Sequence, residues 1–353
     1  MKTLPNQQAV AQLLSRRTVL RHLGGLSREA VSTCSKKGAF AMTTGHAPHQ
    51  VPPRHGWLSV LLVLLVGLLV GCGASTSQSS GPTPTSTEHL KGSIIEFPIP
   101  TSPGTPIAIT AGPDGNFWFA EQEGNKIGRI TPSGTITEFP IPTPNSVPIA
   151  ITAGPDGNLW FTENGANMIG RITSGGKITE FALPSANSGP TGITAGPDGA
   201  LWFTACVLDS SFACTSSSKI GRITSGGKIT EFALPTAKSC PLGIIAGPDG
   251  NLWFTEGGAN MIGQITPSGT ITEFPIPIPN SGPNAITVGP DGTLWFTEGG
   301  ANKIGQITPS GTISEFSVPT SASDPEGITK GRDGTLWFTE GGANKIGQIT
   351  NGK

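Results

Sequence analysis

The sequence predicts an all-β fold, a six-bladed β-propeller of four-stranded blades, and three observations carry that prediction. A unit recurs six times, with Trp118, Trp160, Trp202, Trp253, Trp295 and Trp337 at the same point of each copy. Their spacings are 42, 42, 51, 42 and 42, a period that suits one blade per copy. Within each copy, short apolar stretches alternate with glycine-rich turns, and nothing follows a helical period. Composition agrees, with 50 Gly and 32 Pro among 353 residues and only 13% charged.

The second copy shows each element in turn. Ile149–Ala153 is strand A, followed by the tight turn Gly154-Pro155-Asp156-Gly157. Proline presets φ at the first central position of such a turn, and glycine accepts the positive φ that follows. Asn158–Glu163 is strand B and Asn167–Thr173 strand C; Ser174-Gly175-Gly176 turns the chain into strand D, Lys177–Phe181. Alternation puts Leu159 and Phe161 on one face of strand B, with Trp160 and Thr162 on the other. Both faces are apolar, as blades packed between blades require.

The last copy stops after strand C, at Gln348-Ile349-Thr350, while Ser93-Ile94-Ile95-Glu96-Phe97 matches Gly134-Thr135-Ile136-Thr137-Glu138-Phe139. The N-terminal strand is therefore expected to complete the last blade. Closure in that way leaves only short outer edges. Residues 93–350 hold no seventh copy, which sets the count at six.

Ahead of the propeller (93–353) the chain divides into a leader (1–56), an apolar core (57–71) and a Ser/Thr/Pro-rich tether (72–92). Leu58–Val70 is an apolar run of 13 residues. That is short of the roughly 20 residues of a membrane span and suits a signal-peptide core. It leads into Leu69-Val70-Gly71-Cys72, which resembles a bacterial lipoprotein cleavage box. The resemblance implies cleavage before Cys72, lipidation of its thiol, and a protein anchored on the outer side of the cell membrane. A plain signal anchor is the competing reading. Ser15-Arg16-Arg17-Thr18 looks like a twin-arginine motif, but the apolar run is far downstream, which favours Met42 as the start. The charge is +7 before Cys72 and −8 from Cys72 onward. An acidic domain lacks the basic stripe of a nucleic-acid binder.

Cys206 and Cys214 bracket the nine-residue insertion of the third copy, and a disulfide between them is expected of an exported protein. Cys240, at the lead-in to strand A of the next copy, competes as a partner. A zinc site on the three thiols is the sharper alternative, and the absence of any histidine after His89 argues against it.

Propeller ligands bind at the mouth of the channel, in loops carried by a rigid scaffold. Strand-B ends place Glu121, Glu163, Glu256, Glu298 and Glu340 there, with Ala205 in the third copy. One reading is a ring of carboxylates that draws a cation or cationic ligand; the other is that each Glu caps its own B–C hairpin. The Asn at 125, 167, 260, 302 and 344 shapes its loop, and the Asp of each Pro-Asp-Gly is a turn residue. Residues that break the repeat are more informative. At the second position of the strand-A lead-in stand Ile107, Ile149, Thr191, Leu242, Asn284 and Glu326. Asp324 adds a second carboxylate beside Glu326. Asn284, Asp324, Glu326 and Glu340, with Glu298 in the neighbouring copy, are the candidate ligand-binding set. Close carboxylates repel unless a proton or cation lies among them, and Asp324, Glu326 and Glu340 are a ligand set of the kind Mg²⁺ takes. A solvated loop with random polar drift is the competing account.

At these residues the chain resembles the streptogramin B lyase (virginiamycin B lyase-like) propellers, through Leu-Trp-Phe-Thr-Glu, Asn-Lys-Ile-Gly-Arg-Ile-Thr and Ile-Thr-Glu-Phe-Pro-Ile-Pro across 93–353. The resemblance implies seven blades and a Mg²⁺-dependent elimination that linearises a cyclic depsipeptide antibiotic. It also implies histidines at the second lead-in position of the last two blades, with an acidic residue two before the final one and another ending the following strand B. By position, Asp324 and Glu340 match the acidic residues, while Asn284 and Glu326 stand where the histidines would be. Two functions follow. One is a lipid-anchored monomeric propeller that binds a small molecule or peptide at the channel mouth. The other is a divergent Mg²⁺-dependent lyase with Glu326 and Glu340 as catalytic groups.

Overall fold

A computed structural model describes residues 95–206, 214 and 218–349. The leader, the apolar core, Cys72 and the tether lie outside the described residues. Every regular element described is a strand, and no helix there is long and apolar enough to cross a membrane. Blade 1 holds β1 (Pro106–Ala111), β2 (Phe117–Glu121), β3 (Lys126–Ile130) and β4 (Ile136–Pro140). Blade 2 holds β5 (Pro148–Ala153), β6 (Leu159–Glu163), β7 (Met168–Ile172) and β8 (Ile178–Ala182). Blade 3 holds β9 (Pro190–Ala195), β10 (Leu201–Ala205), β11 (Lys219–Ile223) and β12 (Ile229–Ala233). Blade 4 holds β13 (Pro241–Ala246), β14 (Leu252–Glu256), β15 (Met261–Ile265) and β16 (Ile271–Pro275). Blade 5 holds β17 (Pro283–Val288), β18 (Leu294–Glu298), β19 (Lys303–Ile307) and β20 (Ile313–Ser317). Blade 6 holds β21 (Pro325–Lys330), β22 (Leu336–Glu340) and β23 (Lys345–Ile349). Strands within each blade are antiparallel neighbours in chain order, and the all-β, six-bladed architecture is as the sequence predicts.

Turn chemistry sets these boundaries. Gly157 has φ +76°, which closes the turn between β5 and β6. Asp156 then accepts hydrogen bonds from Asn158 N–H and from the Trp160 indole N–H at 3.0 Å. The turn residue thereby latches the tryptophan that follows it. Asn167 sits in the left-handed region (φ +60°); its amide donates to Ser185 O and its carbonyl accepts from Ser188 N–H. These Asp and Asn residues build turns and loops, in agreement with the sequence reading.

The seams between blades form the core. Trp160, Ile169 and Leu183 of blade 2 pack on Ile193, Leu201, Phe203 and Ile223 of blade 3. The same residue pattern recurs from blade 1 through blade 6. In blades 1 to 5 each Trp also stacks on a Phe of its own fourth strand, as Trp160 does on Phe181 at 5.5 Å. Each buried Leu or Phe in such a seam contributes about 1.5–3 kcal/mol relative to exposure. Glycine in the third strand permits this packing: a Cβ on Gly170 would lie 2.1 Å from the Phe161 ring.

Closure departs from expectation. Blade 6 has three strands among the described residues, and 95–97 is not a strand paired with β23. The inner strands pack in sequence from β1 to β21, and β21 does not pack comparably on β1. Ile109 is 67% exposed at one end and Ile346 65% at the other. Phe97 nonetheless lies against Gly134 of blade 1 as Phe139 lies against Gly176 of blade 2. Phe97 thus keeps the fourth-strand side-chain contact with the next blade. Backbone pairing with β23 would also need blade 6 seated on blade 1, and that seam is not made.

Gly170→Ala should lower thermal stability by about 1–3 kcal/mol through overpacking, seen as a drop in Tm of several degrees. Gly175→Ala, where the nearest atom to a new Cβ is 3.8 Å away, should leave Tm within a degree or so of wild type.

Candidate functional site

The second lead-in residue of each blade lies at a β-bulge, where register shifts between the inner strand and its partner. A bulge re-aims the side chain it carries. In blades 2 to 6 the threonine of strand B holds the bulge, while blade 1 has Ala120 there. Thr255 Oγ1 accepts from Gly243 N–H and donates to Asn284 O of blade 5 at 2.6 Å. Thr297 Oγ1 likewise accepts from Ala285 N–H and donates to Glu326 O of blade 6 at 2.8 Å. Thr162 and Thr204 do the same for Thr191 O and Leu242 O. A constant backbone bond thus fixes a position whose side chain varies. The signal for these threonines in the sequence is the recurrent Thr of Leu-Trp-Phe-Thr, which does not by itself reveal the bond across the seam.

The structure separates the candidate residues into two groups. Asn284 and Glu326 are exposed at matching positions of the adjacent inner strands β17 and β21. Asp324, half-buried with φ +48°, reaches across the seam to the space beside Gly299 of blade 5, where a Cβ would meet its Oδ1 at 2.7 Å. The Glu326 carboxyl lies in the space that Gly341 leaves open, 3.3 Å from where its Cβ would be. Glu298 and Glu340, by contrast, are buried. Among the described residues, the one set of three or more Cys, His, Asp or Glu ligand atoms within 4.8 Å of one another is a cysteine trio. Asp324, Glu326 and Glu340 therefore do not converge into a preformed Mg²⁺ site.

The strand-B glutamates do not form a solvent-facing ring. Glu121, Glu163, Glu256 and Glu298 are fully buried, and neither carboxyl oxygen of any of them has a hydrogen-bond partner among the protein groups described. They do not cap their hairpins either. Each lies on the blade face that carries the glutamate of strand D, as Glu163 lies near Gly170, the register partner of Glu180. Burial raises the Glu163 carboxyl to about 8, with the Ser146 hydroxyl opposing the shift and Glu180 adding to it. Glu256 is raised to about 8 in the same way, beside Ser239 and Glu273. In blades 1 and 5 a lysine stands beside the pair: Lys126 bridges Glu138 at 2.7 Å and Lys303 approaches Glu315 at 4.0 Å. There burial raises Glu121 and Glu298 to about 7. Blades 2 and 4 have Met168 and Met261 at the lysine position. A carboxylic acid facing a carboxylate is stable when one proton is shared. The strand-D partners were also missed in the sequence, although Glu recurs in Ile-Thr-Glu-Phe.

Cys206 and Cys214 are joined in a disulfide across the insertion. Cys240 lies outside that bond, with its Sγ 3.8 Å from that of Cys206.

The family pattern described as "Virginiamycin B lyase family" matches residues 86–211 and 208–353. The chain belongs to that family. Virginiamycin B lyase from Staphylococcus aureus, as its selenomethionine form, is 50% identical over 70% of this chain and 81% of its own, with a TM-score of 0.65. A catalytically inactive histidine-to-alanine variant of the same lyase, solved with quinupristin, is 47% identical over 74% and 85%, with a TM-score of 0.67. A gluconolactonase from Xanthomonas campestris, 17% identical over 67% of this chain and 83% of its own at TM-score 0.50, shares the fold alone.

Glu163 and Glu256 hold protons in the folded state that the unfolded chain releases near the ordinary carboxyl pKa of 4.5. Their contribution to stability is therefore fully present below about pH 4.5 and is lost as pH rises to about 8, by at most about 1.4 kcal/mol per pH unit for each group. Thermal melts from pH 5 to 8 should show that fall, and Glu163→Gln with Glu256→Gln should remove much of it. A double variant with the wild-type slope would place the proton uptake elsewhere.

Proposed function

We propose that this chain is a ligand-binding propeller on the virginiamycin B lyase scaffold, held on the outer side of the cell membrane by a lipid on Cys72. The observation that carries the binding reading is the pair Asn284 and Glu326. Both are exposed and borne on stitched bulges of adjacent blades, and no histidine follows His89 anywhere in the chain. The S. aureus relative supports it, because its histidine-to-alanine variant is catalytically inactive and is nevertheless described with quinupristin. On that scaffold, holding the ligand and transforming it are separable.

The ligand in this reading is a small molecule or peptide of the cyclic depsipeptide kind. The Asn284 amide offers a donor and an acceptor, while Glu326 and Asp324 offer acceptors to N–H or O–H groups and attract positive charge. The apolar run before Cys72 and the acidic balance after it support placement at the outer membrane surface without nucleic-acid contact. The protein acts as a monomer in this account.

Family membership favours a second reading, a divergent lyase in which the Glu326 carboxylate takes the proton that an imidazole would take. The described carboxylates do not converge on a divalent ion, so no step is assigned to Mg²⁺.

Calorimetric titration with quinupristin should show binding that weakens about tenfold, or 1.4 kcal/mol, in Glu326→Gln or Asn284→Ala with Tm unchanged. Equal heats for wild type and both variants would remove these residues from the site. A Mg²⁺ titration whose heat disappears in Glu326→Gln would bring the lyase reading forward.

A further inference from the structure

The three described cysteines are buried, and all depart from the repeat. Cys206 follows β10 of blade 3 and Cys240 precedes β13 of blade 4, so the two face each other across a seam. The same pair of positions meets at other seams. Asn164 Nδ2 lies 3.3 Å from where a Cβ on Gly189 would be, and Asp324 Oδ1 lies 2.7 Å from where one on Gly299 would be. The proximity of Cys206 and Cys240 is therefore a property of the propeller. Backbone bonds hold both ends: Cys206 N–H donates to Gly189 O at 3.1 Å, and Cys240 N–H donates to Ser218 Oγ at 3.1 Å. Cys214 arrives from the insertion and completes a trio whose sulfurs lie within 4.8 Å of one another.

With one disulfide already made, two of the three sulfurs are not thiolate donors, so the trio as it stands is not a metal site. We propose instead that it is an exchanging disulfide set, in which Cys240 displaces Cys214 from Cys206. The Cys240 thiolate attacks Cys206 Sγ at 3.8 Å; the Cys206–Cys240 bond forms as Cys206–Cys214 breaks. Cys214 leaves as a thiolate and takes up the proton that Cys240 gave up. The reaction is an isomerisation and needs no outside oxidant or reductant. It converts a staple of sequence separation 8 inside blade 3 into one of separation 34 between blades 3 and 4.

Trypsin can distinguish the two forms, because no Lys or Arg lies between Cys206 and Cys214. Both fall on peptide 178–219, while Cys240 falls on 239–303. The protein, purified without reductant and held at pH 8, is alkylated with N-ethylmaleimide and digested, with further cleavage at Asp209 to separate Cys206 from Cys214. Expected are both products: 178–219 joined to 239–303 through Cys206 with Cys214 alkylated, and 178–219 bonded internally with Cys240 alkylated. The joined fraction should exceed about one tenth, an exchange constant within tenfold of unity. Cys214→Ser, treated with oxidised glutathione, should be joined throughout, and Cys240→Ser should never be joined. A wild type that yields only the internal bond would overturn the proposal. So would a Cys214→Ser protein that folds with Cys206 and Cys240 both alkylated, or three reduced thiols holding a stoichiometric metal.

Discussion

A tryptophan in the second strand of a blade is buried only when another blade lies beside it. Trp160 is fully buried because Ile193, Leu201 and Phe203 of blade 3 cover it, and Trp202 depends on blade 4 in the same way. The rest of the architecture depends on that constraint. The Phe on the opposite face of the strand must reach the preceding blade, and it does so because the third strand offers glycine. A single blade has no inside, so stability is a sum over seams. Where a seam is missing, the same tryptophan position shows it: Trp337 of the last blade is 39% exposed.

The seams also make the candidate site rigid. In blades 2 to 5 the strand-B threonine donates across the seam to the carbonyl of the variable residue, so each of these blades positions its neighbour's binding side chain. Side chains at those positions can change without changing the backbone that presents them. That separation would let one scaffold present different side chains at the same place. Buried glutamates follow a different logic. They occupy buried space where charge is unfavourable, so burial holds them protonated, and a neighbouring glutamate or lysine adjusts that shift.

Much of this fold was legible in the sequence because its signals are local. The Pro-Asp-Gly turns, the alternation along Leu159–Glu163 and the tryptophan period each report on a few adjacent residues. Closure was not legible: Phe97 matches Phe139 in text, but pairing with β23 depends on how blade 6 sits. The site was legible only in part. Departures from the repeat pointed to Asn284, Asp324 and Glu326, whereas burial decided that Glu298 and Glu340 belong to the interior. Repetition alone could not separate a ring at the mouth from a set of buried acids, since either would recur in every blade but the third. The proximity of Cys240 to Cys206 was suggested by position, and its 3.8 Å separation needed the seam.

The central claim is that the scaffold has kept its binding geometry and relinquished the family's chemistry. Its most direct test is incubation of the protein at high concentration with quinupristin and Mg²⁺, followed by chromatography and fragmentation mass spectrometry. The account predicts that the cyclic depsipeptide is recovered intact at every time point. A linear product of unchanged mass, formed by wild type and lost in Glu326→Gln, would contradict it and show that a glutamate has taken over the elimination.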